Sequence, residues 1–360
     1  MADSALFSPF RLRELELRNR LWIAPMCQYS VSARDGVPRD WHLVHLGALA
    51  AGGAGLVLVE ATAVSPEGRI SPQDTGLWDA AQRDAFARIV GFAHEHGAAI
   101  GVQLAHAGRK ASTLAPWGQG GRHGSVPAAD GGWESLAPSA IPFTGLAMPR
   151  ALDAAGIERV VADFAAAAAR AREAGFDVVE VHAAHGYLLH QFLSPLANRR
   201  EDEHGGALEN RARLLLAVVR AVRAAIGAGM PLLLRLSATD WVEGGWDVEQ
   251  TAIVAGWAAE AGADLVDVSS GGLVAEARVP TGPGYQVPFA ASVRHAARVP
   301  TNAVGLVTEA RQAERIVASG QADAVMIGRA ALRDPHWPLA AAAELGADVP
   351  WPGQYLRARP

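Results

Sequence analysis

His182, His185 and Tyr187 fall within six consecutive residues, His182-Ala183-Ala184-His185-Gly186-Tyr187, directly after the apolar run 176–181. Two imidazoles and a phenol at that spacing can bind a carbonyl oxygen and deliver a proton. The run predicts a strand over 177–181, which puts the three groups at its end and in the turn beyond. There a buried strand fixes geometry and a loop supplies chemistry. Two other readings fit the same residues. A histidine at a strand end can be a structural group with satisfied nitrogens, and His-x-x-His can begin a zinc site, making a metal-dependent barrel hydrolase using His182 and His185 the alternative. A catalytic zinc wants a third protein ligand, and the one cysteine is remote in sequence at Cys27.

Around this stretch the chain repeats one unit. Short apolar runs without clean alternation, at 20–26, 55–60, 99–104, 177–181, 232–236, 265–268, 301–305 and 324–327, predict strands buried on both faces. Segments of helical character follow at 40–51, 80–96, 153–174, 209–226, 248–261, 289–298, 309–319 and 334–345. Gly175, Gly262 and Gly320, directly after three of these, fit carboxyl caps. Eight such units predict an α/β fold of the (β/α)8 TIM barrel type rather than an open doubly wound sheet, and no Gly-x-Gly-x-x-Gly follows the first strand. The stretch 105–151, rich in Gly, Pro, Ser and Trp, is too long for a plain loop and is expected to cap the barrel mouth after strand three. The connection 186–208 lies over the same end. A single domain spanning 1–360 is expected.

Composition narrows the function. Half of the 360 residues are hydrophobic, enough for a large core, and 32 basic against 37 acidic residues give a net charge of −5. That balance offers no general footprint for nucleic acid or an acidic membrane surface and favours a small-molecule partner. One cysteine excludes an intrachain disulfide and a four-cysteine cluster, and fits a reducing, cytoplasmic compartment. The amino terminus has neither the basic nor the apolar region of a signal peptide, and no uncharged apolar run reaches membrane-spanning length, so a soluble, unexported protein is expected.

If the barrel closes, its strand ends gather Ala24, Pro25, Met26, Cys27 and Tyr29 with Ala61, Gln103, His106, the histidine pair and Tyr187. Arg235, Ser269-Ser270-Gly271-Gly272, Gly305 and Gly328-Arg329 complete the circle. The set holds no carboxylate pair placed for glycoside hydrolysis and no strand-end lysine for a Schiff base. Lys110, the one lysine, lies in the insertion. Gly305 and Gly328-Arg329 follow strands seven and eight, where backbone N–H groups can cradle a phosphate and Arg329 adds a bidentate partner; as an alternative the glycines serve only as turns.

These residues carry a resemblance. Pro25-Met26-Cys27-Gln28-Tyr29-Ser30, Glu60-Ala61-Thr62-Ala63, the stretch 103–110 around Gln103 and His106, 182–187, 190–195, Leu208-Glu209-Asn210-Arg211 and Ile327-Gly328-Arg329 together resemble the Old Yellow Enzyme family of flavin ene-reductases. Cys27, where other branches carry Thr, is similar to the thermophilic-like bacterial branch. The resemblance covers Leu6 to Pro360 and implies one tightly bound FMN. Ala24, Pro25, Met26, Cys27 and Ala61 would line its ring system, and Gln103 would bond the pyrimidine edge. Arg235 would lie near N1, with Gly305, Leu306, Gly328 and Arg329 around the phosphate. It implies a hydride donor, NADPH or NADH, and reduction of the activated C=C bond of an α,β-unsaturated carbonyl, with hydride passing from flavin N5 to Cβ. His182 and His185 would hold the carbonyl oxygen, Tyr187 would protonate Cα, and Tyr29 would position the substrate. It also implies a homodimer or dimer of dimers in which Arg357 reaches the neighbouring site. The sequence departs from the pattern at His204 and Ala207, where a Tyr and a helix-capping Ser are usual.

Overall fold

In a computed structural model describing residues 4–117 and 123–360, eight parallel strands close into a barrel. They are β1 (Leu21–Ile23), β2 (Leu56–Ala63), β3 (Ala99–Ala105), β4 (Val178–Ala183), β5 (Leu232–Ser237), β6 (Leu265–Ser269), β7 (Thr301–Ala303) and β8 (Ala324–Ile327). Each pairs with the next in sequence, and β8 closes on β1 with Val325 opposite Leu21. The outer helices are α1 (Asp40–Ala51), α2 (Ala80–Glu95), α3 (Ala154–Glu173), α4 (Leu208–Ile226), α5 (Val248–Ala261), α6 (Val287–Ala297), α7 (Ala310–Ala318) and α8 (Trp337–Leu345). The TIM barrel read from the sequence is therefore the fold. None of the described helices is long and apolar enough to cross a membrane.

Local chemistry explains most boundaries. Asp79, Asp153 and Asp247 cap α2, α3 and α5 by accepting the amide of the residue three on. Ala207 gives α4 no side-chain cap, which is the loss anticipated at that position. Gly175, Gly262 and Gly320 all take positive φ after their helices. Strand β1 is shorter than expected because Pro25, one residue past the Ala24 amide that bonds the Ile327 carbonyl, has no N–H to continue the ladder. Strand β4 runs two residues further than expected, so His182 stands on the strand itself. The last expected helix, 334–345, begins three residues late as α8, after a separate short helix Arg329–Arg333, with Pro335 between them and Pro338 in the first turn of α8.

Packing falls into two shells. Outward-facing strand residues such as Val57, Val102, Val181 and Leu234 meet the helices in one large apolar cluster. Inside, Trp22, Leu56, Val178, Leu233, Leu265 and Ala324 form an apolar floor together with Leu12 and Leu17. The latter two belong to a hairpin, Phe10–Leu12 with Leu15–Leu17, that plugs the amino-terminal end of the barrel. Further along β3 to β6 the interior turns polar, with Gln103, Glu180, Arg235 and Asp267, joined by Asn302 of β7, all buried. The insertion 105–151 contains a short two-stranded sheet, Leu136–Ala137 with Arg150–Ala151, and residues 118–122 of it lie outside the described residues.

Candidate active site

The carboxyl ends of β4 and the segment beyond bring the three opening residues together. The His182 and His185 ring centroids lie 5.2 Å apart, and those of His182 and Tyr187 5.0 Å, both edge to face. His182 Nδ1 accepts the Ala184 N–H at 3.3 Å, so its proton sits on Nε2. His185 Nε2 lies 2.7 Å from the Ser269 hydroxyl, whose other neighbour, Gln286 Oε1, is more distant at 3.4 Å and is served by Ser270 at 2.6 Å. That contact fixes the orientation of the His185 ring. Burial, and then the charge of Arg235, hold both imidazoles well below their usual titration range. Each is thus a neutral ring with one N–H. Burial holds the Tyr187 phenol well above its ordinary value, so it keeps its proton. Two neutral donors beside a protonated phenol can bind an oxygen that gains charge and supply a proton nearby.

The surrounding backbone fixes this group closely. His185 adopts φ +57°, Gly186 φ +71° and Gly272 φ +88°. A Cβ on Gly186 would meet the Gly272 carbonyl oxygen at 2.3 Å, so only glycine lets these two loops touch. His190 Nδ1 accepts the Gly186 N–H at 2.9 Å, and its Nε2 lies 3.0 Å from Oδ1 of buried Asp240. Gln191 Nε2 donates to the Gly186 carbonyl at 2.7 Å. Lys110 reaches across from the insertion and donates to the carbonyls of His185 at 2.9 Å and Gly272 at 3.0 Å. Its ammonium also lies over the Phe143 and Tyr187 rings, and burial, with the Arg109 charge, lowers it to about 8. The insertion is thereby tied to the histidine loop.

On the β1 and β2 side, Cys27, Tyr29 and Tyr187 pack with Ala61, Ile70 and Ala105. A bulge between Val59 and Ala61 turns Ala61 into this cluster and leaves Glu60 to accept the Gln28 N–H at 2.7 Å. Burial, then the charges of Glu60 and Asp74, push the Cys27 thiol up, so it stays neutral. Beyond β7 and β8 lies a cavity of about 260 Å³ lined by Gly305, Leu306, Gly328, Arg329 and Arg333 among others. Gly305 and Leu306 both take positive φ, at +126° and +52°, and form a concave backbone suited to an anion. Neither arginine has a carboxylate partner among the described residues. An anionic cofactor tail fits this cradle. The buried Glu180 Oε2 and Asn302 amide, which lack hydrogen-bond partners, fit a polar ring edge.

His106 does not join the pair: its Nδ1 accepts the Gly108 N–H at 3.0 Å and its ring packs beneath Gly68, where it shapes the insertion. Arg357 is exposed on the terminal turn Gly353–Ala358, and the preceding residues pack with Arg18, Gly53 and His96 at the end of the barrel opposite the mouth. No group of three His, Cys, Asp or Glu among the described residues is placed to hold a metal ion, so the hydrolase alternative lacks its third ligand. The sequence reading did not assign Lys110, Gln286 or Glu180. Glu180 had a signal, since it stands two residues before His182 and so on the same strand face.

A parallel barrel whose mouth combines an anion cradle, a polar ring seat and oxygen-binding donors defines a cofactor-dependent enzyme of the oxidoreductase class. Residues 5–347 match the NADH:flavin oxidoreductase / NADH oxidase family, and the chain belongs to it. It is 48% identical over 356 residues to an NADPH dehydrogenase of Geobacillus thermodenitrificans, covering 99% of this chain and 98% of that one. It is 47% identical to an NADPH dehydrogenase of Listeria monocytogenes, covering 99% of each. Among solved structures, morphinone reductase superposes with a TM-score of 0.78 at 31% identity over 98% of this chain and 92% of its own. The old yellow enzyme homologue of Zymomonas mobilis gives 0.77 at 28% identity over 99% of both. A 2-naphthoyl-CoA reductase gives 0.84 at 26% identity, and there the chain spans 52% of the larger protein. The protein is an FMN-dependent oxidoreductase that takes electrons from a nicotinamide.

Proposed function

We propose that this oxidoreductase is an ene-reductase acting on α,β-unsaturated carbonyl compounds. What carries the reading is the pair of neutral imidazoles, His182 and His185, beside the Tyr187 phenol. FMN, when bound, would supply the two-electron hydride carrier between the nicotinamide and the substrate's Cβ. Ala24, Pro25, Met26, Cys27 and Ala61 would line its ring system. Gln103 and Arg235 would face its pyrimidine edge, and Gly305, Leu306, Gly328 and Arg329 would hold its phosphate.

The chain's own residues then do three things. His182 and His185 bind the carbonyl oxygen, and because negative charge grows there as Cβ is reduced, their bonds strengthen towards the transition state. Tyr187 gives its proton to Cα. Tyr29, which packs edge to face on Trp117 at 5.2 Å, would help position the substrate. The relatives named NADPH dehydrogenase support NADPH as the donor. We also propose assembly as a homodimer or a dimer of dimers, in which the exposed Arg357 enters a neighbouring mouth.

The test is the visible spectrum of the purified holoenzyme under anaerobic conditions. NADPH should bleach it and cyclohexenone should restore it. In a His182→Ala, His185→Ala double variant the colour should remain while reoxidation by the enone falls by about 10²-fold or more. Wild-type turnover in that variant would remove the oxyanion assignment, and a protein that bleaches but never recovers with enones would leave the nicotinamide oxidoreductase and remove the ene-reductase.

A further inference from the structure

Strands β3 to β7 place Gln103, Glu180, Arg235, Asp267 and Asn302 in one buried interior layer, which therefore holds two carboxyls and one cation. Arg235 Nε lies 2.8 Å from Asp267 Oδ2. Glu180 has no ion pair: its Oε1 accepts from Gln103 Nε2 at 2.8 Å, and its fully buried Oε2 has no hydrogen-bond partner. Two ionised carboxylates beside one guanidinium would leave a net negative charge in a closed chamber with an apolar floor. The carboxyl that lacks a cation is the one that retains a proton. Burial, then the Asp267 charge, pushes Glu180 up against the opposing pull of Arg235 and the Gln103 hydrogen bond. The groups facing it are Gln103 from β3, Arg235 from β5, Asp267 from β6, and the neutral His182 and His185 above it; the Lys110 ammonium stands further out, on the His185 carbonyl.

We propose that Glu180 is a redox-linked proton holder, a carboxyl that, above the pH at which it is already an acid, takes up a proton on reduction and so balances the negative charge that the cofactor acquires. The proposal rests on the seat suggested above for the pyrimidine edge, over Gln103 and Arg235. Reduction by NADPH, or at an electrode, delivers two electrons and one proton to the cofactor and leaves it with added negative charge. Where Glu180 is ionised before reduction, that charge raises its proton affinity, a proton from solvent forms an O–H bond on the carboxylate, and nothing is oxidised or reduced at Glu180 itself. Below that pH the acid is already formed and no second proton is taken up.

The experiment is a spectroelectrochemical measurement of the holoenzyme's midpoint potential from pH about 6 to about 10. The wild type should show a slope that doubles on the alkaline side, from one proton per two electrons to two, and Glu180→Gln should keep the lower slope throughout. A wild-type slope of one proton per two electrons over the whole range overturns the proposal, as does a doubled slope that survives in E180Q. Should E180Q fail to hold FMN, Asp267→Asn gives an independent reading: with one carboxylate left beside Arg235, Glu180 ionises more easily and the break moves to lower pH. An unmoved break overturns the proposal. Arg235→Gln separates the two layers of inference. If its potential and FMN affinity match wild type, the seat itself is wrong; if they shift while E180Q leaves the slope unchanged, only the role of Glu180 is lost.

Discussion

Replacing Lys110 with methionine separates positioning from stability at this site. Burial lowers the ammonium from 10.5 to about 8, so keeping it charged at neutral pH costs roughly 3 kcal/mol at about 1.4 kcal/mol per pH unit. Against this stand two hydrogen bonds from a charged donor to the His185 and Gly272 carbonyls, worth about 1.5–3 kcal/mol each, and its place over two ring faces, worth about 0.5–1 kcal/mol. The contributions nearly cancel, and Lys110→Met should lower unfolding stability by only about 1–3 kcal/mol. Geometry is affected more. His185 holds φ +57° while its carbonyl is clamped, and relaxation that moves its imidazole by about 1 Å should slow enone-driven reoxidation by 10-fold to about 100-fold. Stopped-flow reoxidation and urea unfolding on the same preparation test both numbers. The sign of the pH effect follows from linkage. The unfolded lysine titrates near 10.4 and the folded one near 8, so between these values the unfolded state binds more protons and wild-type stability rises with pH relative to the variant. A variant that loses several kcal/mol of stability yet reoxidises at the wild-type rate would refute the positioning role.

Gly186→Ala sets a Cβ against the Gly272 carbonyl at φ +71° and should cost at least about 2 kcal/mol, seen as a lower melting temperature together with weaker enone binding; wild-type melting would contradict the close packing of the two loops. Ser269→Ala leaves His185 Nε2 without its partner and frees the ring orientation, which should slow reoxidation by about 2-fold to 10-fold while FMN stays bound, and an unchanged rate would mean the Ser269 contact does not fix the ring. Arg329→Gln should weaken FMN binding by roughly 10-fold or more in fluorescence titration of apoprotein, with the reduction rate of the loaded fraction unchanged; equal affinity would move the phosphate elsewhere.

The barrel was legible because its signals are local and repeated: buried strands read as unbroken apolar runs, and Gly175, Gly262 and Gly320 mark where three helices must stop. The cluster of His182, His185 and Tyr187 was legible because neighbours in sequence are neighbours on one strand end. Residues that act through distant contacts were not. Lys110 is 75 residues from the His185 carbonyl it clamps, and nothing in a glycine-rich insertion tells which way its side chain turns. Gln286 joins Ser270 to the Val304 carbonyl from the start of a helix whose expected boundary lay two residues further on. The hairpin at the barrel's base escaped because strands of three residues are too short for a periodic signal.

That hairpin also governs traffic. Leu12 and Leu17 seal one end of the barrel over Trp22, and Phe10 lies 6.0 Å from the Trp22 ring, so no polar route leads down from the acid layer. Water and hydronium reach Glu180 and Asp267 from above, through the opening that an isoalloxazine would cover. A barrel open at one end and stoppered by its own cofactor should exchange the protons of these acids slowly when loaded and quickly when empty, making the cofactor the door to the chamber beneath it.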